Sequence, residues 1–129
     1  MNREFVSLTE AEWSVMECLW EHAPKNGREV VAWLQERTDW SRSTCLTLLR
    51  RLEAKGAVSS TEGSDLKLFS PLIDRTDVAV GQTKNLLDRV YHGSLSLLVS
   101  AFTKEQTLSQ KEIDELYSIL KEMEEKNNA

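Results

Sequence analysis

Trp40-Ser-Arg-Ser-Thr-Cys-Leu-Thr-Leu-Leu-Arg-Arg-Leu-Glu-Ala-Lys-Gly56 is the stretch on which the reading of the fold turns. Ser41 suits an N-cap, and Cys45, Leu48, Leu49 and Leu52 recur at the i, i+3, i+4, i+7 spacing of a helix with one buried stripe. Gly56 after Lys55 supplies a C-terminal stop. Rotated away from the stripe are Arg42, Ser43, Leu46, Thr47 and Arg50, with Arg51 at the edge. A merely solvated face mixes both signs, whereas here Glu53 alone opposes Arg42, Arg50, Arg51 and Lys55. Hydroxyls and arginine near the start of such a helix suit base edges in a DNA major groove, and basic residues further along suit phosphates. A structural helix with a few surface arginines carries the same pattern, so the flanking sequence has to decide.

Upstream, Thr9 with Glu12 has the spacing of a capping box, and Trp13, Met16, Leu19 and Trp20 continue with helical periodicity to Ala23, where Pro24 closes the element. Asn26 with Glu29 repeats the box for a second, short helix whose buried residues are expected to be Val30, Val31 and Leu34. Residues 37–40 link it to the helix quoted first. After Gly56 the period changes. Residues 57–61 and 66–70 have strand composition, and Gly63 and Asp65 between them suit a hairpin turn. Helix, helix, helix, hairpin is the order of a winged helix, with the third helix as reader and the hairpin, carrying Lys67, as the wing that touches the DNA backbone.

From Asp74 the sequence returns to helix. One long element runs to Tyr91 with Val80, Leu86, Leu87 and Val90 apolar, and His92-Gly93 breaks it. Ser94 opens another, with Leu95, Leu98, Val99 and Phe102 on one side. Ser109 with Glu112 has the spacing of a third capping box, followed by the stripe Ile113, Leu116, Leu120, Met123. Three thin helices without a sheet bury too little alone, and pairing with a second copy doubles the buried stripe. Folding back on the same chain is the competing arrangement. The fold class expected is therefore mainly α with a small β-hairpin: a winged helix-turn-helix domain over 1–72 and a helical dimerisation domain over 73–129.

Composition constrains the function. With 129 residues, 40% hydrophobic and 29% charged, the chain is long enough for one domain with a real core or a small domain plus an appendage. The apolar runs fall well short of the roughly 20 residues of a membrane span and no basic-then-apolar leader opens the chain, which points to a cytoplasmic protein with no membrane insertion. Cys18 and Cys45 are far apart and neither His22 nor His92 completes a metal-ligand spacing, so two buried thiols are expected and neither metal nor cofactor. The histidines have no assigned partners for acid–base or nucleophilic work, so an enzyme is not expected. A net charge of −5 argues against casual adhesion to nucleic acid, yet residues 40–56 carry four basic residues against one acidic, a local patch that predicts salt-dependent binding.

With those residues placed, the chain resembles the BlaI/MecI family of bacterial penicillinase repressors, which also includes the copper-responsive CopY repressors. The resemblance is carried by Leu8-Thr-x-Ala-Glu-Trp-x-Val-Met-x-x-Leu-Trp20, Thr44-x-x-Thr47-Leu-Leu-x-Arg51-Leu, Lys55-Gly56, Leu86-Leu-Asp-Arg-Val-Tyr-x-Gly93 and Leu108-Ser-Gln-x-Glu-Ile-Asp-Glu-Leu116. It implies a homodimeric transcriptional repressor on a palindromic double-stranded operator, controlling a β-lactamase or antibiotic-response type of operon. It further implies contacts to DNA from Arg42, Ser43, Thr44, Leu46, Thr47, Arg50, Arg51 and Lys67. Dimerisation then falls to Leu87, Val90, Tyr91, Leu98, Phe102, Ile113, Leu116, Leu120 and Met123.

Three departures qualify what carries over. Copper-responsive members have paired cysteines near the C-terminus, and no cysteine lies beyond Cys45 here. Penicillinase-type members are inactivated by cleavage at an Asn-Phe bond through a membrane sensor-protease; the matching pair reads Ala101-Phe102, so Phe102 stands either at a cleavage site or in a dimer core. Leu46 stands where relatives commonly have a basic residue, which implies a changed operator preference, with Leu46 against a thymine methyl. The rival to DNA binding is a winged-helix protein–protein adaptor in which the Arg42/Arg50/Arg51 face meets an acidic partner.

Overall fold

A computed structural model of the chain describes residues 6–62 and 66–129. Among them are six helices, α1 Glu10–Glu21, α2 Gly27–Gln35, α3 Arg42–Ala54, α4 Arg75–Val90, α5 Leu95–Glu105 and α6 Gln110–Asn127, and three strands, β1 Lys25–Asn26, β2 Val58–Glu62 and β3 Lys67–Pro71. The chain divides into two compact units, Met1–Asn85 and Leu86–Ala129. The division falls inside α4, past the link at 72/73 that the change of sequence pattern marks. The reason is on the first turns of that helix: Val78 is 2% exposed, inside the core of the first unit. Gln82 Nε2 donates to Leu8 O at 3.1 Å and Arg75 Nε reaches Glu17 Oε1 at 2.6 Å, which extends the same attachment. Val80, counted among the apolar positions of this helix, is 49% exposed instead.

Each of the first three helices begins at the residue its chemistry selects. Thr9 and Asn26 each close a full capping box with Glu12 and Glu29. Ser41 Oγ accepts from Thr44 N at 3.2 Å. At Ser109 only half of the expected box forms: its hydroxyl accepts from Glu112 N at 3.1 Å, and the return bond from Ser109 N to the Glu112 carboxylate is not made. Gly56 (φ +81°) terminates α3, and the break after α4 uses His92 (φ +52°) and Gly93 (φ +78°), the left-handed conformations that stop a helix.

The core of the first unit is built where the three helices meet the sheet. Val15, Met16, Cys18 and Leu19 of α1, Val30, Val31 and Leu34 of α2, and Cys45, Leu48, Leu49 and Leu52 of α3 are buried together with Ala57, Val58 and Phe69. In α1 the face turned inward is centred on Val15, Met16, Cys18 and Leu19, so Trp13 and Trp20 sit at the margin, half-buried. Their size explains this: an indole covers the edge of a small core, and its N–H needs a polar partner. Trp20 Nε1 finds one in Ile73 O at 2.9 Å, and the two rings meet edge to face with centroids 5.1 Å apart.

The hairpin β2–β3 runs in antiparallel register from Val58 opposite Pro71 to Glu62 opposite Lys67. The turn assigned to Gly63 and Asp65 lies outside the described residues. A third strand was not legible in the sequence: β1, two residues between α1 and α2, pairs with β3 through Lys25–Phe69 and Asn26–Leu68 to give the order β1-β3-β2. So short a strand has no period of its own. It exists because β3 offers it an edge.

One ion pair ties α3 to the start of α1. Lys55 Nζ lies 2.6 Å from Glu12 Oε1 and donates to Ser7 O at 2.9 Å, while Glu12 Oε1 also accepts from Thr9 N at 2.8 Å. Lys55 is therefore engaged away from the basic face with which its position in the sequence groups it. Burial pushes the Glu12 carboxyl up in pKa, but Lys55 and Thr9 together hold it below the ordinary carboxylate value. A carboxyl lowered in this way stabilises the fold above its ordinary pKa, and that stabilisation is lost as pH falls through the lowered value. Lys55→Met leaves a carboxylate whose side chain is 3% exposed without its cation. Because Lys55 itself is partly solvated, we expect a loss of about 1–3 kcal/mol at pH 7 rather than the full cost of a buried pair. Urea denaturation of wild type and Lys55→Met over a series of pH values from 7 downward checks this. The gap between them narrows as pH falls through the lowered Glu12 value, because protonation removes the charge that Lys55 compensates. A gap independent of pH contradicts the assignment.

Candidate nucleic-acid interface

Helix α3 is positioned by its buried side rather than by local preference. Ser43, Thr44 and Thr47 each cost a few tenths of a kcal/mol relative to better helix formers, whereas each buried leucine returns roughly 1.5–3 kcal/mol. Leu48, Leu49 and Leu52, between 0% and 6% exposed, therefore decide the orientation of the helix. The opposite face follows from it. Arg42, Ser43, Thr44, Thr47, Arg50 and Arg51 are all exposed.

The hydrogen bonds at the start of α3 arrange these groups for outward contact. Ser41 Oγ donates to Thr44 Oγ1 at 3.0 Å and lies 3.1 Å from Ser43 Oγ. With Thr44 Oγ1 already accepting from Ser41, its own O–H is left to donate outward. Among the described residues the side chains of Arg42, Thr47, Arg50 and Arg51 form no hydrogen bond or ion pair, so Arg51 does not brace the core edge through a polar contact. Ser43, Thr44, Thr47, Leu48 and Arg51 together line a shallow depression of about 240 Å³. This is the geometry of a face with unspent donors: short hydroxyls along the first half and guanidinium groups beside and beyond them.

Leu46 departs from that row. It is half-buried against the core, and a Cβ added to Gly27 would stand 3.4 Å from Leu46 Cδ2. The side chain thus fills the contact between α3 and the start of α2. Near the C-terminal end of α3, the acidic Glu53 is turned toward the hairpin. It accepts a short hydrogen bond from Ser60 Oγ and lies 3.4 Å from Lys67 Nζ. The Ser60 hydroxyl and Lys67 hold its carboxyl below the ordinary value. The one acid among the basic residues of α3 is thereby paired by the wing.

The second unit presents a different surface. Neither α5 nor α6 has a buried residue. Of the residues expected to pair two copies, Leu87, Tyr91, Leu98 and Ile113 are half-buried, while Val90, Phe102, Leu116, Leu120 and Met123 are exposed. Leu108, Ile113, Leu116, Tyr117 and Leu120 line an apolar groove of about 260 Å³. Ala101 is half-buried and Phe102 50% exposed, both within α5. Cys18 and Cys45 are buried free thiols, and burial raises the pKa of each. Among the described residues no three His, Cys, Asp or Glu side chains are grouped to hold a metal, and no helix is long and apolar enough to cross a membrane.

Residues 8–122 match the family model described as Penicillinase repressor. The penicillinase repressor of Bacillus licheniformis is 34% identical over 120 residues, covering 93% of this chain and 94% of the relative. The methicillin resistance regulatory protein MecI of Staphylococcus aureus is 31% identical over 120 residues, covering 93% and 98%. Among solved structures, the DNA-binding domain of the repressor BlaI aligns with a TM-score of 0.52 at 32% identity, covering 59% of this chain and 93% of that one. The monomeric form of Bacillus licheniformis BlaI in complex with the blaP half-operator aligns with a TM-score of 0.52 at 32% identity, covering 57% and 90%. The chain, with a winged helix whose third helix turns a row of hydroxyls and unpaired arginines to solvent, belongs to the penicillinase repressor family.

Proposed function

We propose that this protein is a transcriptional repressor of a resistance-type operon that grips a palindromic operator as a homodimer, with α3 in the major groove and the hairpin β2–β3 against the backbone. The observation that carries the reading is the outward face of α3, where Thr44, Thr47, Arg42, Arg50 and Arg51 keep their donors unspent while the core locks the helix from behind. Support comes from the relative solved on its half-operator, which aligns with the same winged helix. Thr44 and Thr47 read base edges; Arg50, Arg51 and Lys67 take phosphates. Leu46 sets the spacing of α2 and α3 and leaves the centre of the reading face to the hydroxyls.

Dimerisation is proposed through the second unit. Val90, Leu95, Phe102, Leu116, Leu120 and Met123 are between 37% and 60% exposed, more apolar surface than a monomer leaves uncovered without use. A second copy covers it with the same residues by two-fold symmetry. Joining two readers makes the second contact intramolecular and raises avidity by roughly 10² to 10⁴. Loss of the C-terminal helices therefore empties the operator. Helix α5, with no buried residue to hold it, opens locally at low cost and admits cleavage at Ala101-Phe102 by a membrane sensor-protease.

Titration of the inverted repeat upstream of the gene tests the reader. Thr47→Ala is expected to narrow the preference for operator over unrelated DNA, and Arg51→Ala to weaken both alike and flatten the salt slope by about one unit per subunit. Unchanged binding in both variants refutes the assignment, and wild-type binding without sequence preference favours the adaptor. Sedimentation tests the dimer: Leu120→Asp places a charge in the interface and yields a folded monomer, whereas a wild type already monomeric at micromolar concentration contradicts it. A fragment ending at Ala101 keeps the winged helix folded and loses high-affinity operator binding; affinity equal to that of the full chain rules out dimer-dependent repression.

A further inference from the structure

A second hollow in the winged helix borders the reading face at its N-terminal end. It measures about 340 Å³, and Arg28 of α2, Arg42 of α3 and Lys67 of β3 line it, with Asn26, Gly27, Leu66 and Phe69 completing the wall. Three cations from three separate elements converge there, and no carboxylate lines it. Arg28 and Arg42 are exposed, and their side chains make no hydrogen bond or ion pair among the described residues. Lys67 Nζ lies 5.5 Å from the Phe69 ring centroid and pairs with Glu53 Oε1 at 3.4 Å, with its side chain 45% exposed. In a chain of net charge −5, two arginines left unpaired around one concavity have no role in the packing of the domain.

We infer that this hollow seats a phosphodiester of the duplex backbone, which makes Arg28 a DNA contact contributed by α2. The inference rests on the reading that α3 enters the major groove. Arg42 is the first residue of α3 and stands at the rim of the hollow, so a backbone strand bordering that groove passes directly into it. Planar guanidinium forks match phosphate oxygens, and the apolar side formed by Leu66, 56% exposed, and Phe69 suits the adjoining deoxyribose. The hollow contributes affinity without reading sequence, because phosphates carry none. It also extends the grip from the reading helix to the helix before it, clamping the DNA from the wing side.

The test uses full-length protein and three variants, Arg28→Ala, Arg28→Lys and Thr47→Ala. Each is titrated by fluorescence anisotropy against the upstream inverted repeat and an unrelated duplex at several salt concentrations. Arg28→Ala weakens both duplexes by the same factor, about three- to tenfold near 0.1 M salt, and lowers the salt slope by about one unit per bound subunit. Arg28→Lys recovers most of the loss. Repeats carrying single methylphosphonate linkages then locate the contact: neutralising one linkage weakens wild type and leaves Arg28→Ala unaffected. If Arg28→Ala matches wild type at every salt concentration while Thr47→Ala loses operator preference, the hollow is not a backbone seat and the repressor reading stands. If wild type itself prefers neither duplex, the repressor reading fails first. If Arg28→Ala impairs only the capture of a polyglutamate peptide, the hollow serves an acidic protein and the inference is overturned.

Discussion

The burial of one side of α3 is the constraint on which the rest of the first unit depends. Cys45, Leu48, Leu49 and Leu52 are held by α1, α2 and the first residues of β2, so the helix cannot rotate without exposing them. Removing even one of these leucines from water is worth several surface contacts. That difference in scale lets the outward face carry groups that do nothing for stability. Arginines without carboxylates and hydroxyls with donors left over are tolerated there because the opposite side already fixes their position. Preorganisation of the reading face is thus a by-product of core packing.

Charge is distributed by the same logic. Lys55 is spent on Glu12 and Ser7 O, bracing the end of α3 to the start of α1, and Glu53 is spent on Ser60 and Lys67, bracing it to the wing. What remains unpaired on α3 is cationic and lies on one face. An acidic protein can therefore approach a polyanion, since repulsion from the rest of the chain limits adhesion while the unpaired face supplies local attraction. Leu46 complements this by packing at the junction of α2 and α3 beside Gly27.

The second unit obeys a different balance. Its helices are capped and stopped by local signals, with Ser94 and Ser109 at the starts and Gly93 at the break, yet none of α5 or α6 is buried. Local signals form helices; they do not cover them. An uncovered apolar stripe of this size is the physical argument for a second copy.

Much of this was legible in the sequence. The capping pairs Thr9/Glu12 and Asn26/Glu29, the stripe Cys45–Leu48–Leu49–Leu52, the stop at Gly56 and the break at Gly93 are short-range signals, and short-range signals specify elements and their inward faces. The exposed row Arg42, Ser43, Thr44, Thr47, Arg50 and Arg51 follows from the stripe by helical geometry alone. Tertiary structure decided what depends on distant partners. β1 exists through pairing with β3, and Val78 rather than Val80 is buried because the start of α4 lies on the first unit. Lys55 was withdrawn from the basic face by a carboxylate 43 residues away, and Leu46 packs half-buried beside Gly27. The hollow of Arg28, Arg42 and Lys67 joins three elements that no window of sequence contains together. Periodicity records which side of an element faces in, but only the packed chain determines which side chains meet.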